Sequence, residues 1–238
     1  MDKVSQLSVF FPAYNEEENI KETVLKAVEV LNEVASKWEI IVVNDGSTDK
    51  TRKVVEGLAK KYKKIRLINH KKNRGYGGAI KTGLFESKCS LIAYTDSDGQ
   101  FDFEEIKKFL PKLRNADLVV GFRKKRTDSF YRRMLARILW LADWILFGLD
   151  VKDVDCGFKV FKKDIVGKIG KLATESAITE TEFVVRAKKA GYRIAEIGVN
   201  HNPRMEGKQT GGKLKVIIRA AGEGLNLWWV LIKEKFLT

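Results

Sequence analysis

Residues 91–100 read Leu-Ile-Ala-Tyr-Thr-Asp-Ser-Asp-Gly-Gln, an apolar run that ends on two carboxylates two positions apart. The apolar run reads as a strand, with the two carboxylates at its end. Alternate side chains at the end of an extended segment face the same way, so Asp96 and Asp98 meet on one side. Two unpaired carboxylates repel, and a cation between them is expected. Hard oxygen ligands suit Mg²⁺ or Mn²⁺. Gln100 has the same parity and would add an amide oxygen, although Gly99 interrupts the extended geometry. The bland alternative is a polar turn built on Asp98-Gly99.

Outward from this stretch, strand-like and helix-like segments alternate. Leu7–Pro12, Glu39–Val43, Ile65–Asn69, Leu91–Thr95 and Leu118–Gly121 read as strands. Glu16–Ala35, Thr51–Tyr62, Tyr76–Glu86 and Phe103–Leu113 read as helices. The pattern predicts an α/β fold, a mostly parallel sheet flanked by helices. In such a sheet, ligands bind beyond the carboxyl ends of the strands. The residues there are Pro12-Ala13-Tyr14-Asn15-Glu16, Asn44-Asp45-Gly46-Ser47-Thr48-Asp49, and Asp96-Ser97-Asp98-Gly99-Gln100. Three polar clusters on one sheet edge predict one site.

Each cluster also has a plain structural reading. Thr48 or Asp49 would cap the helix that begins near Thr51. Glu17 and Glu18 would favour the dipole of the first helix. Those roles leave Asp45 to accept hydrogen bonds from a base or ribose, and Tyr14 to stack on a base. Gly75-Tyr76-Gly77-Gly78 follows the third strand and lacks the dinucleotide spacing. It is expected to permit close backbone approach near the site, with Arg74 and Lys81 unassigned.

The chain of 238 residues carries a net charge of +14, with 44% hydrophobic and 32% charged residues. Its length fits one α/β domain or a domain with an extension. The charge favours anionic partners: nucleic acid, anionic lipid or phosphorylated substrates. Cys89 and Cys156 point to a reducing compartment without a disulfide framework. No apolar stretch reaches the roughly 18 residues of a spanning helix, and no signal peptide is expected.

The order of motifs resembles the inverting family-two glycosyltransferases of GT-A fold: strand-Pro-Ala-Tyr-Asn-Glu, strand-Asn-Asp-Gly-Ser-Thr-Asp, Asn73-x-Gly75-x-Gly77 and strand-Asp-Ser-Asp-Gly-Gln. Gly121-Phe122-Arg123, Arg132-Arg133, Asp155-Cys156-Gly157-Phe158-Lys159, Thr181-Glu182-Phe183 and Asn202-Pro203-Arg204-Met205-Glu206-Gly207 resemble its polyprenol-phosphate branch, such as dolichol-phosphate mannosyltransferase. The likeness covers roughly residues 5 to 215. It implies that Pro12, Ala13, Tyr14, Glu16, Asp45, Ser47, Asp96, Ser97, Arg204 and Lys208 hold the nucleotide-sugar. It implies metal at Asp96, Asp98 and Gln100, catalysis by Asp98, Arg123 and Arg132, and acceptor phosphate at Arg123, Arg132 and Arg133. Residues 1–212 would form the catalytic domain, with donor half 1–121 and acceptor half 122–212, and residues 213–238 an amphipathic helix. Gly207-Lys208-Gln209-Thr210 departs from the Ser-Lys that relatives often carry, so Lys208 and Lys213 both stand as phosphate contacts.

The implied donors are GDP-mannose and UDP-glucose, and the implied acceptor is a polyprenyl or dolichyl phosphate. A phosphate monoester is already anionic at neutral pH, its second pKa being about 6, so arginines that position it matter more than a base. Glu180 and Glu182 are the remaining base candidates, and Thr179-x-x-Glu182 also reads as a capping box.

Gly121–Arg137 holds seven basic residues and one acid. On a wheel of about 100° per residue, Arg132, Arg133, Arg137 and Asp143 fall within an arc of about 140°, and the rest of the segment is apolar, including Trp140, Trp144 and Phe147. Lys215, Arg219, Glu223, Asn226, Lys233 and Glu234 lie opposite Trp228, Trp229 and Ile232. Such helices suit an anionic membrane surface, and packing on the domain or a dimer interface is the alternative. The expected location is peripheral, on the cytoplasmic face, with a separate membrane-anchoring subunit left open. A family-two enzyme with a carbohydrate or protein acceptor is the alternative function. A sugar nucleotidyltransferase would want a Gly-rich, Arg-containing loop after the first strand. A processive synthase would want Gln-x-x-Arg-Trp and spanning helices. A basic nucleic-acid-binding protein is the remote alternative, and there the acidic strand-end clusters would repel a polyanion unless a metal is bound, so no nucleic-acid partner is expected.

Overall fold

The computed structural model describes residues 2–125, 130–204, 206 and 214–236, without the side chains of 130–133, 135, 136, 139, 214–217, 235 and 236. Its elements are β1 (Val4–Ala13), α1 (Ile20–Val34), β2 (Ala35–Asn44), α2 (Thr51–Lys61), β3 (Ile65–Asn69), α3 (Tyr76–Glu86) and β4 (Leu91–Tyr94). Then follow α4 (Ile106–Phe109, with 3₁₀ turns on either side), β5 (Leu118–Arg123), α5 (Phe130–Phe147), β6 (Lys159–Lys162), α6 (Asp164–Ile169), α7 (Ile178–Lys189), β7 (Ile194–Val199) and α8 (Leu214–Phe236).

One seven-stranded sheet has the order β3-β2-β1-β4-β6-β5-β7. Only β6 runs antiparallel, to β4 and to β5. The sheet is buried on both faces. Val9 and Phe11 pack with Val24, Leu31 and Phe109 on one side. Phe10, Ile92 and Tyr94 pack with Ile80, Leu84, Phe183 and Leu227 on the other. That two-sided burial is why β1 and β4 read as apolar runs rather than alternating strands. The chain moves outward from β1 through β2 to β3, then crosses back to place β4 on the other side of β1. The switch in direction opens a crevice beyond the carboxyl ends of β1 and β4, the usual ligand position in such sheets.

Several expected elements differ. The first helix starts at Ile20 rather than Glu16, so Glu17 and Glu18 precede it and Glu22 is the acid of its first turn. β2 follows the helix at once, from Ala35, four residues before the expected start. The 103–114 segment is a short α-helix between 3₁₀ turns, with Pro111 in the second turn. β6 and β7 carry Lys, Glu and Gly among their few residues, too weak a period to read as strands.

Candidate active site

The loops after β1 and β2 are laced together. Asn15, at φ 57°, is the one non-glycine with positive φ among the described residues, and Asn tolerates that conformation better than most. Its Oδ1 accepts from the Thr48 N–H (2.9 Å), and its N–H donates to Ser47 Oγ (2.9 Å). Glu16 N–H donates to Thr51 Oγ1 (2.8 Å) and Glu17 N–H to Asp49 Oδ2 (3.1 Å), while Lys50 N–H returns to Glu17 Oε2 (2.8 Å). Asp49 also accepts from Thr51 N–H, as a cap would. The third loop joins through Ser97, whose hydroxyl donates to the Pro12 carbonyl (2.7 Å). Ala13 meets the second loop through its carbonyl, which accepts from Asp45 N–H. Tyr14 is half-buried on this rim. The three clusters therefore converge as the strand ends predicted.

Asp45 is buried and heavily used. Its Oδ1 contacts His70 Nδ1 (2.6 Å) and accepts from Arg74 N–H (2.9 Å), and its Oδ2 accepts from Gly75 N–H (2.9 Å). Three of about four lone-pair positions are thus taken. Asp45 shapes the 70–75 loop, a task its sequence context does not reveal because the partners lie 25 to 30 residues away. Gly46 faces the same loop: a Cβ there would lie 2.6 Å from Asn73 N.

Asp96 and Asp98 stand at the crevice. Tyr76 donates its hydroxyl to Asp96 Oδ1 (2.8 Å). Gly157 backs the same carboxylate, and a Cβ there would lie 2.2 Å from Asp96 Oδ2. Asp98 Oδ1 accepts from Gln100 N–H (3.1 Å) and Oδ2 from Arg204 Nη1 (3.2 Å). Burial, then the charge of Asp96, push the Asp98 carboxyl up to about 7. This is a pair short of positive charge. Among the described residues no group of three or more His, Cys, Asp or Glu side chains surrounds one point. A hard divalent cation fits the two carboxylates if a bound diphosphate or water completes its shell. Gln100 does not extend the alternation. Gly99 turns the chain at φ 75°, and Gln100 Nε2 donates to the Asn202 carbonyl (3.0 Å).

Arg123, at the end of β5, is held in a fork by Asp153, Nε and Nη2 each at 2.6 Å. The paired carboxylate keeps its guanidinium firmly charged despite burial. Arg132 and Arg133 fall in the first turn of α5, but their side chains lie outside the described residues, as does Lys208 entirely. Arg204 bridges Asp98 and Glu16, with Nη2 2.7 Å from Glu16 Oε1.

The two candidate bases are both committed. Glu180 Oε1 accepts from buried Lys159 (2.8 Å) and from the Tyr94 hydroxyl (2.8 Å). Burial, against the pull of Lys159, raises it to about 7. Glu182 accepts from the N–H groups of Ala173 and Thr174, the Thr174 hydroxyl and Arg186. The expected capping box is overturned: α7 begins at Ile178, and Thr179 bonds Thr174 rather than Glu182. Of the residues that support the site, His70 had no sequence reading, and Tyr76, Gly157 and Lys159 stood within quoted motifs without a role of their own. A glycine after a Cys amid aromatic neighbours was the one local hint.

The sheet order and the paired carboxylates define an α/β domain with its ligand site beyond the strand ends. The glycosyl transferase family 2 model matches residues 8–170, and the chain belongs to that family of glycosyltransferases. A dolichyl-phosphate beta-glucosyltransferase of Trichomonas vaginalis is 32% identical over 249 residues, covering 94% of this chain and 76% of the relative. A dodecaprenyl-phosphate galacturonate synthase of Rhizobium johnstonii is 31% identical over 217 residues, covering 85% and 60%. The crystal structure of glucosyl-3-phosphoglycerate synthase from Mycobacterium tuberculosis with Mn²⁺, uridine diphosphate and phosphoglyceric acid superposes with a TM-score of 0.71 at 16% identity, covering 94% of this chain and 77% of that one. The sheet is thus of the GT-A type that the motifs implied.

Proposed function

We propose that the protein transfers a hexose from a nucleoside-diphosphate sugar, UDP-glucose before GDP-mannose, to a polyprenyl or dolichyl phosphate, with inversion at the anomeric carbon. One observation carries this reading. Asp96 and Asp98 face the crevice, while Glu180 and Glu182, the carboxylates available as bases, are spent inside the domain. A sugar hydroxyl would need a base; a phosphate monoester arrives already ionised. The two curated relatives share a polyprenyl-type phosphate in their names and differ in the sugar, so the acceptor is the better supported half.

Asp96 and Asp98 would hold Mg²⁺ or Mn²⁺, which would neutralise charge on the departing diphosphate. Glu16, Tyr14 and the 45–48 loop line the nucleoside side of the crevice. Arg123, held rigid by Asp153, and Arg204 supply cations for phosphate oxygens. One acceptor phosphate oxygen bonds to C1 as the C1–O bond to the diphosphate breaks, and no proton has to move.

No helix among the described residues is long and apolar enough to cross a membrane. Contact with an anionic bilayer falls to α5 and α8. Ile138, Leu141, Trp144 and Ile145 on α5, and Ile218, Leu225 and Trp229 on α8, are exposed. Both helices end against α7, where Lys188 Nζ bonds the Gly148 carbonyl and Lys189 Nζ the Leu231 carbonyl. Asp143 corrects the expected polar arc of α5: it is buried and accepts from Thr181 Oγ1 (3.1 Å). Arg219, Glu223 and Glu234 also face protein, pairing with Glu175, its neighbouring N–H groups and Arg186. α8 also buries Leu227 and Leu231 in the core, so the exposed apolar residues form an outer strip of each helix rather than a whole face. Basic residues beside them would add about 1 kcal/mol each near anionic lipid.

The test is a donor screen. Protein with Mn²⁺ or Mg²⁺ receives labelled UDP-glucose or GDP-mannose and a polyprenyl phosphate in detergent. Label should enter the organic phase and be lost in Asp98→Ala. Transfer only to a carbohydrate or protein acceptor would overturn the lipid assignment. Sedimentation with anionic vesicles, reduced by Trp144→Ser with Trp229→Ser, checks the surface contact.

A further inference from the structure

Arg204 occupies an unusual position for a phosphate-binding arginine. Its guanidinium lies between two carboxylates, 2.7 Å from Glu16 Oε1 and 3.2 Å from Asp98 Oδ2, with its side chain 12% exposed. Nε donates to the Glu206 carbonyl (2.7 Å). The segment that delivers it is pinned to the carboxylate loop by a reciprocal pair: Asn202 N–H to the Gln100 carbonyl (2.8 Å) and Gln100 Nε2 to the Asn202 carbonyl (3.0 Å). Asn200 N–H adds a bond to the buried Glu105 (2.8 Å). On the far side of Glu16, Asn19 Nδ2 donates to Oε2 (2.9 Å) and fixes that carboxylate.

Asp98 and Glu16 thus share one guanidinium, with Asp96 two residues from Asp98. A divalent cation on Asp98 would compete with Arg204 for Oδ2 and would meet the guanidinium charge at close range. Both cannot sit on Asp98 at full strength.

We propose that Arg204 is an exchangeable counter-cation: Glu16 parks it on Asp98 until metal and nucleoside diphosphate arrive together, and it then transfers to the diphosphate. The proposal rests on the metal reading above. Metal alone has to evict Arg204 from Asp98 with no new partner for it. Metal with a diphosphate offers the fork an anion that it can grip with two parallel bonds. Metal and nucleotide then bind with positive coupling, which is reciprocal by linkage.

The test measures two affinities on the whole chain by calorimetry: Mn²⁺ alone, and UDP at saturating Mn²⁺. Arg204→Gln should tighten Mn²⁺ alone about tenfold and weaken UDP about tenfold, the scale of one charged hydrogen bond. A residue that only shapes the loop would not move the two affinities in opposite directions. Arg204→Lys keeps the charge and loses the fork, and its melting transition checks that it folds. It should show both changes at smaller size. Mn²⁺ affinity unchanged or weakened in both variants overturns the counter-cation role while leaving the metal site intact. Absence of Mn²⁺ binding in wild type, with and without UDP, overturns the metal reading instead.

Discussion

Asp45 and Asp98 each stand just beyond the end of a parallel strand, and both are nearly buried, yet their surroundings are opposite. Asp45 receives two backbone N–H groups and a histidine. Asp98 receives one N–H and one arginine, next to a second carboxylate. The first arrangement completes a fold; the second leaves negative charge uncompensated at a crevice. A strand-end carboxylate marks chemistry when the protein fails to satisfy it, and architecture when it succeeds.

Gly157→Ala tests the unsatisfied side most severely. A Cβ 2.2 Å from Asp96 Oδ2 must displace that carboxylate, while the strands beneath are untouched. Transfer should fall about 100-fold, the usual cost of a misplacement near 1 Å, with Mn²⁺ affinity falling and the melting transition kept. Unchanged Mn²⁺ affinity would show that Asp96 holds no metal. Asp45→Asn tests the satisfied side. The amide nitrogen would face a donor N–H, and about 1–3 kcal/mol of stability should be lost, read by denaturant unfolding. A loss of activity with full stability would reverse the contrast and return Asp45 to the nucleoside.

Asp143 sharpens the comparison from outside the crevice. Burial, then the charge of Asp155, raise its carboxyl to about 7, although it lies on α5 against Thr181. The folded state holds this proton after the unfolded state has released its own near pH 4. Stability therefore falls as pH rises from about 4 to about 7 and stays low above. Asp143→Asn should raise stability at pH 8 by up to about 4 kcal/mol and by less at pH 5, read as the shift of the melting transition. No gain at pH 8 would mean that the carboxylate is compensated in the native state.

Much of the first half of the chain was legible in the sequence. The boundaries of β3 and α3 agree with the spacing to the residue, because apolar periodicity and the flanking turn residues are local signals. The acidic clusters fell where strand ends put them. The second half was harder to read. β6 and β7 are short and polar-interrupted, and the sheet contacts that stabilise them come from residues far along the chain. Asp143 looked like the polar edge of a surface helix because a wheel shows which residues share a face, but not which face meets the domain.

The sequence by itself determined an α/β sheet with three polar strand-end clusters and a pair of carboxylates at one of them, since periodicity, turn chemistry and the strand-end rule depend on near neighbours. Only the tertiary structure decided which carboxylates remain available. Asp45 is consumed by residues 25 to 30 positions away, Glu180 by Lys159 at 21, and Asp98 is held by Arg204 at 106. Burial and partnership at such separations arise from chain crossing rather than from local pattern, and they set which charges are left for chemistry.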